Sequence, residues 1–102
     1  MTLMQLHYII TISETGSLNK AAELLYVSQP SLTNAVKELE RELGITIFNR
    51  SGKGVTLTND GTEFLLHAKQ IYGQYESVME KYGKGGSYKK NLRYLPSIIP
   101  LQ

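Results

Sequence analysis

Apolar residues recur at intervals of three and four through most of the first 82 positions, a pattern that predicts helices. Near the N-terminus, Thr2 and Gln5 have the spacing of a capping box, and Gly16 is suited to end a helix. We therefore predict a first helix between Thr2 and Gly16. Its inward stripe is predicted at Leu3, Leu6, Ile10 and Ser13, widened by Ile9 and Ile12.

A helix-turn-helix is predicted at about residues 18–37, where two further helices are separated by a tight turn. Ser17 is suited to cap the first and Ser28 the second, which has Pro30 in its first turn, where a missing N–H costs nothing. This second helix of the motif, which is the third helix of the chain, is predicted to continue to Gly44. The residues predicted to face inward are Leu18, Ala21, Ala22, Leu25, Leu32, Val36, Leu39 and Leu43.

The pattern changes after Gly44, and residues 45–59 have the character of a β-hairpin. The segments 47–50 and 55–58 flank the loop 51–54, whose two glycines are predicted to supply the positive φ angles of a tight turn. The hairpin proper is placed at about residues 46–58. Three helices followed by a hairpin predict a mainly α fold, a winged helix-turn-helix over residues 1–58.

A long fourth helix is predicted at residues 59–82, with Thr58 as its cap. Its apolar positions alternate spacings of four and three, which is typical of a heptad seam between paired helices. At 1.5 Å per residue such a helix is about 36 Å long and has no partner in so small a domain, so we expect a second copy of the chain. The predicted dimer residues are Phe64, Ala68, Ile71, Tyr75, Val78 and Tyr82.

The tyrosines of this helix admit another interpretation, because Tyr72, Tyr75 and Tyr82 are suited to stack on single-stranded nucleic acid. The heptad spacing favours the dimer seam instead. Beyond the helix, residues 83–102 are interpreted as a glycine-containing linker and a tail too short to fold alone.

Composition restricts the function classes more than it identifies one. The chain has 102 residues and no cysteine, which excludes disulfides and thiolate metal sites. It has neither a signal peptide pattern nor an apolar run long enough to span a membrane, so a soluble cytoplasmic protein is expected. The net charge of +2 comes from five bases after residue 80, because residues 1–80 hold six bases and nine acids. Bulk charge therefore does not indicate nucleic-acid binding.

The start of the third helix provides a more specific signal. It carries short polar side chains and no acid, as a helix must if it enters the major groove of DNA with its N-terminus near phosphates. Gln29 and Asn34 are suited to pair with adenine, and Thr33 to touch a thymine methyl group or a phosphate. Arg50 and Lys53 are expected to meet the DNA backbone or minor groove from the hairpin. The predicted DNA-binding residues are Ser28, Gln29, Pro30, Ser31, Thr33, Asn34, Lys37, Arg50 and Lys53.

Catalysis is not expected. His7 and His67 lie on different predicted helices without acids at metal-ligand spacing, and no cofactor or metal is expected. The glutamates at 38, 40 and 42 fall on different sides of one helix and do not form an acid–base pair. The alternative function is a winged-helix module that dimerises or binds proteins without binding DNA, and the net acidity of residues 1–80 favours it.

The residues as a set resemble the N-terminal region of LysR-type transcriptional regulators over residues 1–82. The matching positions are Leu3, Leu6, Gly16, Ser17, Leu18, Ala21, Ala22, Leu25, Val27, Ser28, Gln29, Pro30, Ser31, Leu32, Leu39, Glu40, Leu43, Gly44, Phe48, Arg50, Leu57, Thr58 and Gly61. Many family members carry a basic residue where this sequence has Asn34.

The resemblance implies sequence-specific binding of double-stranded promoter DNA by Gln29, Pro30, Ser31, Thr33 and Asn34 in the major groove, with Arg50 and Lys53 on the wing. It also implies a homodimer through the long linker helix, while dimer and tetramer both stay open for a full-length form. The family's small-molecule effector domain would follow this region. We therefore expect no effector site in these residues, and residues 91–102 are either the first strand of that domain or an unrelated tail.

Overall fold

The computed structural model describes residues 1–83, which form four helices and one two-stranded antiparallel sheet. The elements are α1 (Leu3–Thr15), α2 (Leu18–Leu25), α3 (Gln29–Leu43), β1 (Phe48–Ser51), β2 (Gly54–Leu57) and α4 (Asn59–Tyr82). Their order confirms the predicted mainly α fold with a hairpin between the third and fourth helices. The predicted tail from residue 84 lies outside the described residues.

Every helix begins where the sequence predicts, because each has a hydroxyl cap. In each case a side-chain oxygen accepts a hydrogen bond from the backbone N–H three residues later, an arrangement worth about 1 kcal/mol. The four caps are Thr2, Ser17, Ser28 and Thr58. The capping box at α1 is complete, since the Thr2 backbone N–H also donates to Gln5 Oε1 at 2.9 Å.

The buried face of α1 differs from the predicted stripe. Leu6, Ile9 and Ile12 are buried, whereas Leu3 is 39% exposed and Ile10 is only half-buried. A polar residue, Thr11, is buried on this helix as well. Its hydroxyl donates to the His7 carbonyl oxygen at 2.8 Å, which satisfies the group without a partner from another element. The helix is thus rotated toward Ile9 and Ile12 relative to our prediction.

The rest of the core follows the predicted pattern closely. Ala21 and Ala22 are buried in α2, and Leu32, Val36 and Leu39 are buried in α3. The outer members of these stripes are half-buried and pack against the core cluster at its margin, namely Leu18, Leu25 and Leu43. The small side chains of α2 allow its neighbours to approach closely.

The hairpin pairs Phe48 with Leu57 and Ser51 with Gly54, which leaves Gly52 and Lys53 as the turn. Its first strand begins one residue later than predicted, after the fully buried Ile47. Of the two glycines, Gly54 alone has a positive φ, at 129°. A Cβ at Gly54 would lie 2.7 Å from the Gly16 carbonyl oxygen. That oxygen accepts a hydrogen bond from the backbone N–H of Val55, the residue after Gly54. Glycine thus allows the hairpin to pack against the α1–α2 connection.

The chain divides into two compact units between Gln70 and Ile71, within α4. The first part of α4 belongs with the winged helix because Phe64 and Leu65 pack against its core cluster.

Two glycines of α4 should respond in opposite ways to alanine. A Cβ at Gly61 would lie 2.0 Å from the Ile47 carbonyl oxygen, whereas a Cβ at Gly73 would have nothing within 4 Å. We expect G73A to raise the free energy of unfolding by about 1 kcal/mol through helix propensity. We expect G61A to lower it by about 3 kcal/mol, because backbone must move to relieve the overlap. Urea titration followed by circular dichroism measures both, and equal effects of the two substitutions would contradict this assignment.

Candidate nucleic-acid interface

The N-terminus of α3 is an exposed polar surface. Its first turn contains no acid, and Ser28, which caps it, makes a second hydrogen bond through its hydroxyl to Ser31 Oγ at 2.8 Å. Five of the seven positions predicted here are exposed, and Gln29 and Thr33 are half-buried. The exposed ones are Ser28, Pro30, Ser31, Asn34 and Lys37. The helix therefore presents backbone N–H groups and short polar side chains outward, as predicted.

Thr33 departs from the simple picture of an outward polar residue. Its hydroxyl oxygen is buried and has no hydrogen-bond partner within residues 1–83. The part of the side chain that reaches the surface is therefore chiefly its methyl group. Of the two contacts expected from the sequence, this orientation favours a thymine methyl group over a phosphate.

The turn between α2 and α3 contains a feature that the sequence analysis missed. Tyr26 ends α2 with φ at 59°, the only non-glycine positive φ within residues 1–83, and its side chain is 92% exposed. A left-handed conformation costs an L-residue about 1–2 kcal/mol. The sequence contains a signal for this conformation, because only Tyr26 and Val27 lie between α2 and Ser28, which caps α3. Neither of the two is glycine, so a residue with a side chain has to make the turn.

The hairpin carries two exposed cations, Arg50 on β1 and Lys53 at the turn. The backbone N–H of Lys53 donates to Ser51 Oγ at 3.2 Å, which helps to order the tip. Neither of these residues, nor Lys37 on α3, makes an ion pair within residues 1–83. As far as residues 1–83 are concerned, all three positive charges are exposed and available to an external anion.

A cleft of about 250 Å³ lies between α3 and the hairpin. Its charged members are Lys37, Glu40 and Arg50, and its other lining residues are Leu18, Val36, Thr46, Phe48 and Val55. A second cavity of about 350 Å³ shares Lys37, Glu40 and Thr46 with it. Cations from both the helix and the hairpin thus line one depression beside the second half of α3.

Glu40 has a role that sequence reasoning missed. Its Oε2 accepts hydrogen bonds from the backbone N–H groups of Ile47 at 2.7 Å and Phe48 at 3.3 Å. From the sequence, Glu40 was interpreted only as one of three glutamates that do not form an acid–base pair and as a position that matches the LysR-type pattern. Its position one residue after the buried Leu39 was the available signal that it lies at the edge of the inward stripe.

The predicted dimer seam is only partly available at the surface. Ala68 is fully buried within the chain, so it packs in the core of the first unit rather than at a surface, whereas Phe64 is half-buried against the core cluster and its place in the seam stays a prediction. Ala68 was assigned to the seam because periodicity alone does not distinguish a helix face packed inward from one packed on a second chain. The remaining four are exposed by 38–73%: Ile71, Tyr75, Val78 and Tyr82.

Other kinds of site find little support in the described residues. Residues 1–83 contain no group of three or more His, Asp or Glu side chains arranged to hold a metal ion. In that same part of the chain, no helix combines the length and apolar character needed to cross a bilayer.

Residues 3–62 match the protein family described as bacterial regulatory helix-turn-helix protein, lysR family. The chain belongs to the LysR family. Relatives of this LysR-family chain include the HTH-type transcriptional regulator ClcR of Pseudomonas putida, 41% identical over 71 residues. Another is the HTH-type transcriptional regulator BsdA of Bacillus subtilis, 40% identical over 80 residues. These alignments cover 70% and 78% of this chain but only 24% and 28% of the relatives, so the chain spans about a quarter of their length.

Solved structures agree with the assignment to the LysR family. The CbnR DBD–DNA complex matches with a TM-score of 0.75 and 36% identity, covering 79% of this chain and 93% of that one. The BenM DBD/benA site 1 DNA complex matches with a TM-score of 0.75 and 31% identity, covering 79% and 91%. The described residues therefore have the fold of a LysR-type DNA-binding domain.

The buried hydroxyl of Thr33 leads to a stability prediction. Valine has nearly the same shape and removes an unsatisfied polar atom, so T33V should leave the free energy of unfolding unchanged or raise it by about 1 kcal/mol. The matched control is T11V, which makes the same chemical change but removes the hydrogen bond to the His7 carbonyl oxygen. We expect T11V to be less stable than T33V by about 1 kcal/mol in urea titrations. If T33V is the less stable of the two, the orientation of Thr33 is wrong.

Proposed function

We propose that this chain binds double-stranded DNA in a sequence-specific manner, as part of a LysR-type transcription regulator. The observation that carries the proposal is the exposed, acid-free start of α3, together with hairpin cations that make no ion pair within residues 1–83. Structures of related DNA complexes with the same fold support it. We assign α3 to the major groove and the hairpin to the adjacent backbone or minor groove.

The proposed contacts divide into two groups. Gln29 and Asn34 pair with base edges, most favourably adenine, and the Thr33 methyl group packs against a thymine methyl group. The Pro30 ring and the Ser31 hydroxyl complete the groove surface, with Ser28 near a phosphate at the helix N-terminus. Phosphate neutralisation is assigned to Lys37, Arg50 and Lys53, and these contacts confer affinity without specificity. Asn34 lacks the positive charge that many family members carry at this position. The affinity of this chain for DNA therefore depends more heavily on these three cations than it would with a basic residue there.

We further propose that the chain acts as a homodimer through the exposed apolar residues of α4, so that two copies read two half-sites of a promoter. Ile71, Tyr75, Val78 and Tyr82 are the exposed members of the predicted seam, and Met79, which is 42% exposed, lies beside them in sequence. Burial, followed by the nearby Glu76 and Tyr75, raises the pKa of Tyr72 above the ordinary tyrosine value of 10.0, at which the hydroxyl is already neutral at physiological pH. A neutral tyrosine is compatible with a helix interface.

The relatives are transcriptional regulators. We propose regulation rather than catalysis for this chain as well, without a cofactor, and in the cytoplasm where promoter DNA is found. A small-molecule effector would bind to parts of the relatives that this chain does not cover, and a tetramer would belong to such longer proteins. A dimerisation module without DNA affinity is the outcome that would overturn the main proposal.

The groove assignment predicts different effects for two alanine substitutions. Q29A should weaken binding to the selected duplex by about 1–3 kcal/mol and reduce its preference over random duplex. K53A should weaken binding to every duplex, and it should lower the slope of log K against log salt by about 0.9. Fluorescence anisotropy across a salt series, on duplexes selected from a random pool, measures both quantities.

Matched controls for these variants are Q70A and K69A, which remove the same side chains from exposed positions on α4. Both should bind like wild type. No binding by the wild-type chain at low salt would overturn the proposed function. Wild-type behaviour of Q29A on both kinds of duplex would overturn the assignment of α3.

The dimer proposal predicts that Tyr75→Asp produces monomers, because a carboxylate in an apolar seam must be desolvated. Sedimentation equilibrium should give half the wild-type mass, and operator binding should weaken because two linked half-sites become independent. The control is Gln74→Asp, which adds the same charge at an exposed neighbouring position outside the seam. A dimeric Tyr75→Asp protein would exclude this surface.

A further inference from the structure

We infer that Glu40 is a positioning residue for DNA binding: it holds the hairpin at a fixed setting relative to α3 without touching DNA itself. The inference rests on the proposed function, since it concerns how the two DNA-binding elements are kept in register. It begins from the two hydrogen bonds that one oxygen, Oε2, accepts from Ile47 and Phe48.

These hydrogen bonds are the direct polar link between α3 and the hairpin. Within residues 1–83, no other α3 side chain hydrogen-bonds residues 46–57. The hairpin has further backbone ties, but they lead elsewhere. Val55 N–H donates to the Gly16 carbonyl oxygen at 3.1 Å, and Thr58 N–H donates to the Ile47 carbonyl oxygen at 3.0 Å. Within the described residues, Glu40 is therefore the one α3 side chain that hydrogen-bonds the start of β1, in addition to the apolar packing of Ile47 and Phe48 against α3.

The two Glu40 hydrogen bonds lie at the start of β1, so a small rotation there moves the distant hairpin tip by a larger distance. At about 3.3 Å per residue, Ser51 lies about 10 Å along β1 from Phe48, and the turn with Lys53 is farther still. A rotation of about 15° at Phe48 would displace that tip by about 3 Å, which is the length of a hydrogen bond. Loss of the two hydrogen bonds would thus remove phosphate contacts that Lys53 makes, although Lys53 itself is unchanged.

The negative charge of Glu40 is not what the role requires. An acid beside a DNA-binding surface opposes phosphate binding, and this one lines the cleft with Lys37 and Arg50. Both hydrogen bonds go to Oε2, while Oε1 has no hydrogen bond within residues 1–83. Glutamine has the same length and a carbonyl oxygen able to accept both bonds, whereas aspartate keeps the charge but is one methylene shorter.

The test therefore compares E40Q, E40D and E40M, each with and without K53A. In wild type, K53A should lower the salt slope by about 0.9. We expect the same effect in E40Q and a much smaller one in E40D and E40M, because a displaced tip no longer reaches its phosphate. Hydrogen exchange at the Ile47 and Phe48 amides should accelerate in E40D and E40M but not in E40Q.

Q29A supplies the control within the same experiment. Q29A should reduce the affinity by the same factor in wild type and in every Glu40 variant, because α3 still enters the groove. In a Glu40 variant that is simply unfolded, Q29A would have no further effect on the affinity. If E40M does not fold, the comparison of E40D with E40Q decides. A K53A effect of wild-type size in E40D, or a loss of the effect in E40Q, would overturn the positioning role. Absence of any K53A or Q29A effect in the wild-type background would instead overturn the assignment of the hairpin and α3 to DNA, and no binding by the wild-type chain at low salt would overturn the proposed function.

Discussion

The architecture depends on how the backbone of Ile47 is held. Its side chain is fully buried, its N–H donates to Glu40, and its carbonyl oxygen accepts from Thr58 N–H, which begins the connection to α4. The same carbonyl oxygen lies where a side chain at Gly61 would have to be. One residue thus fixes α3, the hairpin and the start of α4 together, and both of its backbone polar groups are satisfied away from water.

Features that depend on neighbouring residues in sequence were predicted well. Caps and glycine stops are set by interactions over three or four residues, so Ser17, Ser28, Thr58 and Gly44 could be assigned from the chain alone. The exposed start of α3 followed from the same rules, because a hydroxyl cap and an acid-free first turn are both local properties. The seam on the second half of α4 stays a prediction.

Features that depend on packing were not predictable in this way. The true inward face of α1, the inward hydroxyl of Thr33 and the burial of Ala68 are each set by which element lies opposite. Glu40 is the clearest case, since its partners lie seven and eight residues ahead in a strand whose start was itself misplaced by one residue. Periodicity indicates that a helix has an apolar face. It does not show which polar side chains at the edge of that face, such as Glu40, also make contacts inside the protein.

Tyr26 has a consequence for the mechanics of the helix-turn-helix. Helix α2 has eight residues, which are too few to be stable in isolation. It ends at Tyr26 in a left-handed conformation, which is unfavourable for a residue with a side chain. The buried alanines of α2 must therefore compensate for the disfavoured link as well as for the helix itself. The turn is held by backbone hydrogen bonds from Tyr26 N–H to the Glu23 carbonyl oxygen and from Val27 N–H to the Ala22 carbonyl oxygen. Backbone preference at that single exposed position therefore affects the stability of the motif independently of every side chain assigned to DNA.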